Sequence, residues 1–183
     1  MTPTRQTTKE GIEGQFGANH IGHFLFTNLL MPQLLTSAAS SAPGATRVVN
    51  LTSLGHRLSP VRFSDYNLEK ANEDVPEEER HGPLPRIFAK PADDGYEGFV
   101  AYGQAKTANI LFSVGLNERF GSNGLKSYAV HPGSALDPAL NEFREVLLHD
   151  CQTCNAMSYA TDVRLAEKLW NLSEKLVQKS FKP

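Results

Sequence analysis

Apolar residues along the first third of the chain recur at helical intervals. Ile12, Phe16, Asn19, His20, His23, Phe24, Thr27, Leu30 and Leu34 fall three or four positions apart, which predicts a helix over 12–36. Pro32 should kink that helix or mark its last turn. The small-residue stretch from Thr36 to Gly44 reads as a loop. Arg47-Val48-Val49-Asn50-Leu51-Thr52-Ser53 then changes the pattern: it is short, apolar and β-branched, as in a strand buried on both faces of a parallel sheet. A second helical pattern covers 100–120, with Ala105, Ala108, Asn109, Leu111, Phe112 and Leu116 on one face and Gly121 to Gly124 as its stop. A second buried-type strand follows at 126–130, and a shorter one is expected at 145–149. The tail, 161–179, is amphipathic through Val163, Ala166, Leu169, Trp170, Leu172 and Leu176. Helix, strand, helix and strand in this order predict an α/β fold in one domain over 1–183.

The segment 56–98 fits neither period. It carries Pro60, Pro76, Pro83, Pro85 and Pro91 and an acidic run from Glu73-Asp74 to Glu77-Glu78-Glu79. It reads as an extended loop with little regular structure, placed on the substrate side.

Composition narrows the classes. The formal net charge of −2 lacks the basic excess that a nucleic-acid surface needs. No apolar run approaches the ~20 residues of a membrane span, and Met1 to Lys9 lack the apolar core of a signal peptide. Two cysteines, Cys151 and Cys154, are too few for a disulfide framework, so a cytoplasmic, reducing setting is the expectation.

The candidate chemistry lies in Tyr102-Gly103-Gln104-Ala105-Lys106. Residues four apart on a helix leave the same face one turn apart. A phenol is a weak acid, and a neighbouring ammonium stabilises the phenolate, so such a pair suits general acid/base work. Taken singly, the spacing also fits an ordinary solvated helix face. Ser53 closes the first strand, and ligands of open α/β sheets sit beyond the carboxyl ends of strands. A hydroxyl there can hydrogen-bond a substrate carbonyl, or else merely cap the turn. His131-Pro132-Gly133 ends the second strand in the same way.

Together these segments resemble the short-chain dehydrogenase/reductase family. Asn19-His20-Ile21-Gly22-His23-Phe24 is similar to the family's Asn-bearing helix, and Val48 to Ser53 to its serine-bearing strand. Ala101 to Leu111 is similar to its catalytic helix, and Tyr128 to Gly133 to the strand and turn after it. The long gap between Ser53 and Tyr102, with Arg62-Phe63-Ser64-Asp65-Tyr66-Asn67, resembles the retinol-dehydrogenase-like branch. The resemblance implies a Rossmann-like, doubly wound parallel sheet present in part, without the family's first four strands. It implies NAD(P)-dependent oxidoreduction of an alcohol or carbonyl substrate. Tyr102 would be the general acid/base. Lys106 would support it and hold the ribose of NADP or NAD, Ser53 would orient the substrate oxygen, and Asn19 would extend the proton relay. Pro132 and Gly133 would line the cofactor side. Family dimers pair the helices matching 12–36 and 100–120, which implies a homodimer.

Three features depart from that pattern. The family's opening strand and Gly-rich phosphate turn are not found, and Gly11 to Gly17 reads as a loop entering a helix. After Gly133, Asp137 stands where a Thr is usual. The stretch from Ala135 to Gln152 resembles the approach to the family's last strand, as if an internal segment were deleted. Two rival readings follow: an inactive family fragment that self-associates or binds a complete relative, and a zinc site from His20, His23, Cys151 and Cys154. The two histidines also fit the helical motif, and no metal is the favoured expectation.

Overall fold

The computed structural model describes residues 2–89, 91–131, 147–149, 152–153 and 155–181. The expected first helix is built in pieces. Glu13 starts it: its carboxylate accepts from the amides of Gln15 and Phe16, satisfying two of the donors that a helix N-terminus leaves free. A short α1 (Gly14–Phe16) runs into a π-helical turn (Gly17–Ile21) and then α2 (Gly22–Leu29). The chain breaks at Leu30 and resumes as α3 (Met31–Ala39).

Of the two expectations for Pro32, the kink is present and the last turn is not: the helix breaks at Leu30, and Pro32 sits in the first turn of α3, where its missing N–H costs nothing. α3 therefore absorbs residues 36–39, which the small-residue composition had assigned to a loop.

β1 (Arg47–Leu51) pairs in parallel with β2 (Lys126–His131), from Arg47 opposite Lys126 to Leu51 opposite Val130. β2 pairs in parallel with β3 (Leu147–His149), and β3 pairs antiparallel with β4 (Gln152–Thr153). The sheet order is β1-β2-β3-β4, with β1 at an edge. Between β1 and β2 runs α4 (Gly98–Phe120), the crossover helix that parallel strands require. The short α5 (Ser158–Thr161) and α6 (Val163–Leu176) close the described chain. This is the partial Rossmann-like α/β arrangement expected from the sequence.

Two burial expectations fail. α4 has no single apolar face: from Gly103 to Leu116 every residue is buried, because the sheet covers one side and α6 the other. Small residues allow that approach; Gly115 leaves a Cβ-sized space only 3.4 Å from Trp170. An element buried all round cannot show amphipathic periodicity. Conversely, β1 is covered on one face only. Val48 and Asn50 turn towards the helices, whereas Val49 and Leu51 are 56% and 58% exposed.

The 56–98 segment has little regular structure beyond short 3₁₀ turns, yet it is firmly anchored. Arg62 and Asp65 form a buried ion pair at 2.6 Å, with side chains only 2% and 3% exposed. Asp65 also accepts from the amides of Glu69 and Lys70, and Arg62 donates to the Lys70 carbonyl. Glu79, also buried, receives the amide and hydroxyl of Ser64 and the Lys168 ammonium of α6. At the far end Tyr96 donates to Glu13. The loop is thus pinned to the first and last helices by polar groups.

Breaking such a pair leaves a buried charge uncompensated, which costs about 3–5 kcal/mol. Asp65→Ala is therefore expected to lower the unfolding free energy by about that amount in urea titrations. A loss under about 1 kcal/mol, the worth of a surface pair, would show that the loop does not depend on it.

Candidate active site

The site forms where β1 ends against the middle of α4. The Thr52 hydroxyl donates to the Lys106 carbonyl at 2.8 Å. The Leu51 carbonyl accepts from Asn109 Nδ2 at 2.8 Å and from Lys106 Nζ at 3.3 Å. These bonds fix the helix rotation that presents Tyr102 and Lys106 beyond the strand end. Lys106 Nζ lies 5.4 Å from the centre of the Tyr102 ring, within cation–π range. Burial pulls the Lys106 pKa below that of an ordinary lysine.

Ser53 caps the turn Leu54–Leu58, its hydroxyl accepting from the Gly55 amide at 3.1 Å. The capping role read for Ser53 is therefore present in the structure beside its candidate catalytic one. Gly55 is the residue that sequence reasoning missed. A Cβ there would stand 2.7 Å from Tyr102 Cε1 and 3.5 Å from Ser53 Oγ. The glycine is thus the space that lets serine and tyrosine share one face. Its only sequence signal is a Gly two residues after the Ser. Gly103 does the same behind the tyrosine, where a Cβ would meet the Gly55 carbonyl at 2.9 Å. His56 supports this turn: its Nδ1–H donates to the Ser53 carbonyl at 2.8 Å, and burial lowers its pKa.

Asn19 arrives from the π-turn. Its Oδ1 accepts from Lys106 Nζ at 3.1 Å, and its Nδ2 donates to the Gln15 carbonyl at 3.0 Å. The structure thus gathers Asn19, Ser53, Tyr102 and Lys106 around one strand end. Pro132 and Gly133 lie outside the described residues, as do Cys151 and Cys154. The two histidines of the zinc reading diverge: His23 is exposed and donates to the Asn19 carbonyl, whereas His20 is fully buried.

Beside the site, a groove of about 440 Å³ runs along the free edge of β1. Asn19, Lys106 and Asn109 give it polar lining, and Phe26, Leu30 and Leu34 apolar lining. Of the three ammonium protons of Lys106, two are taken by Asn19 and Leu51, leaving one donor for a ligand hydroxyl among the described contacts. The side of the Gly11–Gly17 segment is closed to phosphate, because the Glu13 carboxylate already occupies the amides of α1. No helix among the described residues is long and apolar enough to cross a membrane.

Comparison with known proteins adds relatives. No family model matches the chain. It is 35% identical to the oxidoreductase fscI of Fusarium equiseti, over 75% of this chain and 53% of that protein. It is 31% identical to retinol dehydrogenase 12 of Mus musculus, over 97% of this chain and 58% of that one. It is 29% identical to the chloroplastic short-chain dehydrogenase TIC 32 A of Brassica napus, over 94% of this chain and 59% of that one. The chain thus spans somewhat over half the length of these relatives. The match to the mouse protein runs over 213 residues, more than the chain's own 183. That relative therefore has residues inside the matched span that this chain lacks. A crystal structure of an uncharacterized protein from Mycobacterium paratuberculosis superimposes with a TM-score of 0.66 at 24% identity, covering 98% of this chain and 64% of that one. The likeness to that structure concerns the fold.

His20 sets an acid limit on this arrangement. Burial drives its pKa from 6.5 down to about 3, so the folded protein resists binding a proton that the unfolded chain accepts. Its contribution to stability is present above about pH 6.5 and is lost as pH falls towards 3. Between those limits stability should decline by up to about 1.4 kcal/mol per pH unit from this residue. His20→Phe should flatten that acid limb relative to the unaltered chain. Parallel stability-versus-pH curves for the two proteins would refute the assignment.

Proposed function

We propose that this chain, which belongs to the short-chain dehydrogenase/reductase family, carries the proton-transfer site of an NAD(P)-dependent oxidoreductase acting on an alcohol or carbonyl. The observation that carries the reading is the convergence of four side chains from three elements, the π-turn, the end of β1 and α4. Lys106 bonds Asn19 and lies under the Tyr102 ring, with Ser53 across Gly55 from that ring.

In this reading the Ser53 hydroxyl orients the substrate oxygen and Tyr102 exchanges a proton with it. The Lys106 ammonium stabilises the negative charge that develops on the phenolic oxygen, and Asn19 holds that ammonium in place. The remaining donor of Lys106 and the groove beside it suit a ribose hydroxyl of NADP or NAD; Pro132 and Gly133 belong to the same proposal. When bound, that cofactor supplies or accepts the hydride. The matches to retinol dehydrogenases support an apolar alcohol or aldehyde as the substrate class.

Titration of the purified protein with NADPH and NADH, followed by nicotinamide fluorescence and carbonyl reduction, tests this. Binding and turnover are expected, with Tyr102→Phe slowing turnover by about 10²–10⁴-fold while cofactor binding persists. No binding at millimolar cofactor would overturn the reading for this chain.

A second reading has its own support. Phe26, Leu29, Leu30, Val49 and Leu51 are all large, apolar and open along α2 and β1, and surfaces of that kind mark association. A catalytically inactive chain that pairs with itself or with a complete relative would bury them. Sedimentation should then show association that grows with concentration and weakens in Leu51→Lys. A monomer at every concentration would exclude pairing with itself.

A further inference from the structure

His20 poses a physical problem. It is fully buried among Phe16, Phe24 and Phe112, whose ring centres lie 5.3, 6.1 and 5.8 Å from its own. A phenylalanine would suit such surroundings without a desolvation cost. The imidazole instead leaves Nδ1 buried with no hydrogen-bond partner, an arrangement that native cores rarely tolerate without a return.

The return is one bond. Ser173 Oγ donates to the Leu169 carbonyl at 2.8 Å, so towards His20 it can only accept. His20 Nε2 must therefore carry the proton and donate it, at 2.8 Å, to Ser173. The contact joins residues 153 positions apart, from the π-turn to the middle of α6.

That π-turn also bears Asn19. The widened turn carries the Gly22 amide back to the Gly17 carbonyl, five residues away. Such insertions recur at functional sites because they turn one side chain out of helical register. Asn19 and His20 are adjacent in it and face different ways: Asn19 towards Lys106, and His20 towards α6. Adjacent residues share a backbone, so whatever holds His20 also constrains Asn19.

We infer that His20 and Ser173 are positioning residues, through which α6 holds the π-turn so that Asn19 Oδ1 stays on the Lys106 ammonium. The inference rests on the proposed roles of Asn19 and Lys106 and adds a second layer to them. α6 thereby acts on the site as well as covering α4. Withdrawing the Ser173 hydroxyl lets the turn relax, and the ammonium loses one of the two acceptors it has among the described residues. A charge so buried then gives up its proton more readily.

The experiment follows the Lys106 ammonium by NMR through a pH titration of the whole chain labelled with ¹³C,¹⁵N-lysine, because this signal does not depend on turnover. Ser173→Ala should move the Lys106 titration down by about one pH unit. His20→Phe, which fits the aromatic surroundings, should do the same. Ser173→Thr keeps the acceptor and should leave the titration where it was. Asn19→Ala should reproduce the shift, and combining it with Ser173→Ala should add nothing, since both act on one bond. Ser173→Ala and His20→Phe variants that fold but leave the Lys106 titration unmoved would overturn the inference and reduce the contact to core packing. So would full additivity with Asn19→Ala. Absence of turnover in the unaltered chain counts against the oxidoreductase reading alone.

Discussion

The seam between the end of β1 and the middle of α4 holds the rest of the structure in place. Thr52, Leu51, Lys106 and Asn109 form three hydrogen bonds across it, two of them on a single carbonyl. A parallel strand offers no tight turn to its neighbour, so a crossover helix must be set against the sheet by side-chain contacts of this sort. Once α4 is fixed in rotation, Tyr102 and Lys106 point beyond the strand, Gly103 lies against the turn after Ser53, and Gly115 receives Trp170 of α6. Each of those contacts depends on the same registration.

Around the seam the protein buries polar groups that an apolar core would omit. The Arg62–Asp65 pair, Glu79, the Glu13–Tyr96 contact and His20 are all inaccessible or nearly so. Paired buried charges add little net stability compared with apolar residues of similar size, but removing one partner is costly. They accordingly specify one arrangement rather than strengthen many. Here they tie the irregular 56–98 segment and both terminal regions to the helices that carry the candidate site. The loop can thus be ordered without strands or long helices of its own.

The uncovered side of β1 is the counterpart of this tight organisation. Val49 and Leu51 face outward, the free edge of the strand borders the groove, and Phe26 and Leu30 extend the apolar surface. Such a surface gains free energy when something covers it. It adjoins Asn19 and Lys106 directly, so whatever covers it also changes the water and dielectric around the ammonium.

The sequence by itself determined the local elements and the family. Short apolar, β-branched runs placed β1 and β2, and apolar residues at three- and four-residue steps placed α4 and α6, all within a few residues, because such patterns reflect backbone geometry that each segment carries alone. The four-residue step from Tyr102 to Lys106 likewise put both on one helix face without reference to anything distant. Only the tertiary structure decided what depends on docking. It placed Pro32 in the first turn after a break at Leu30, and buried α4 on every side rather than on one face. It left Val49 and Leu51 open on a strand whose composition suggested full burial. It also brought Asn19 to Lys106 across 87 positions and His20 to Ser173 across 153. The physical reason is common to all of these: a side chain's partner across the fold is set by which surfaces meet, and no local repeat encodes that meeting.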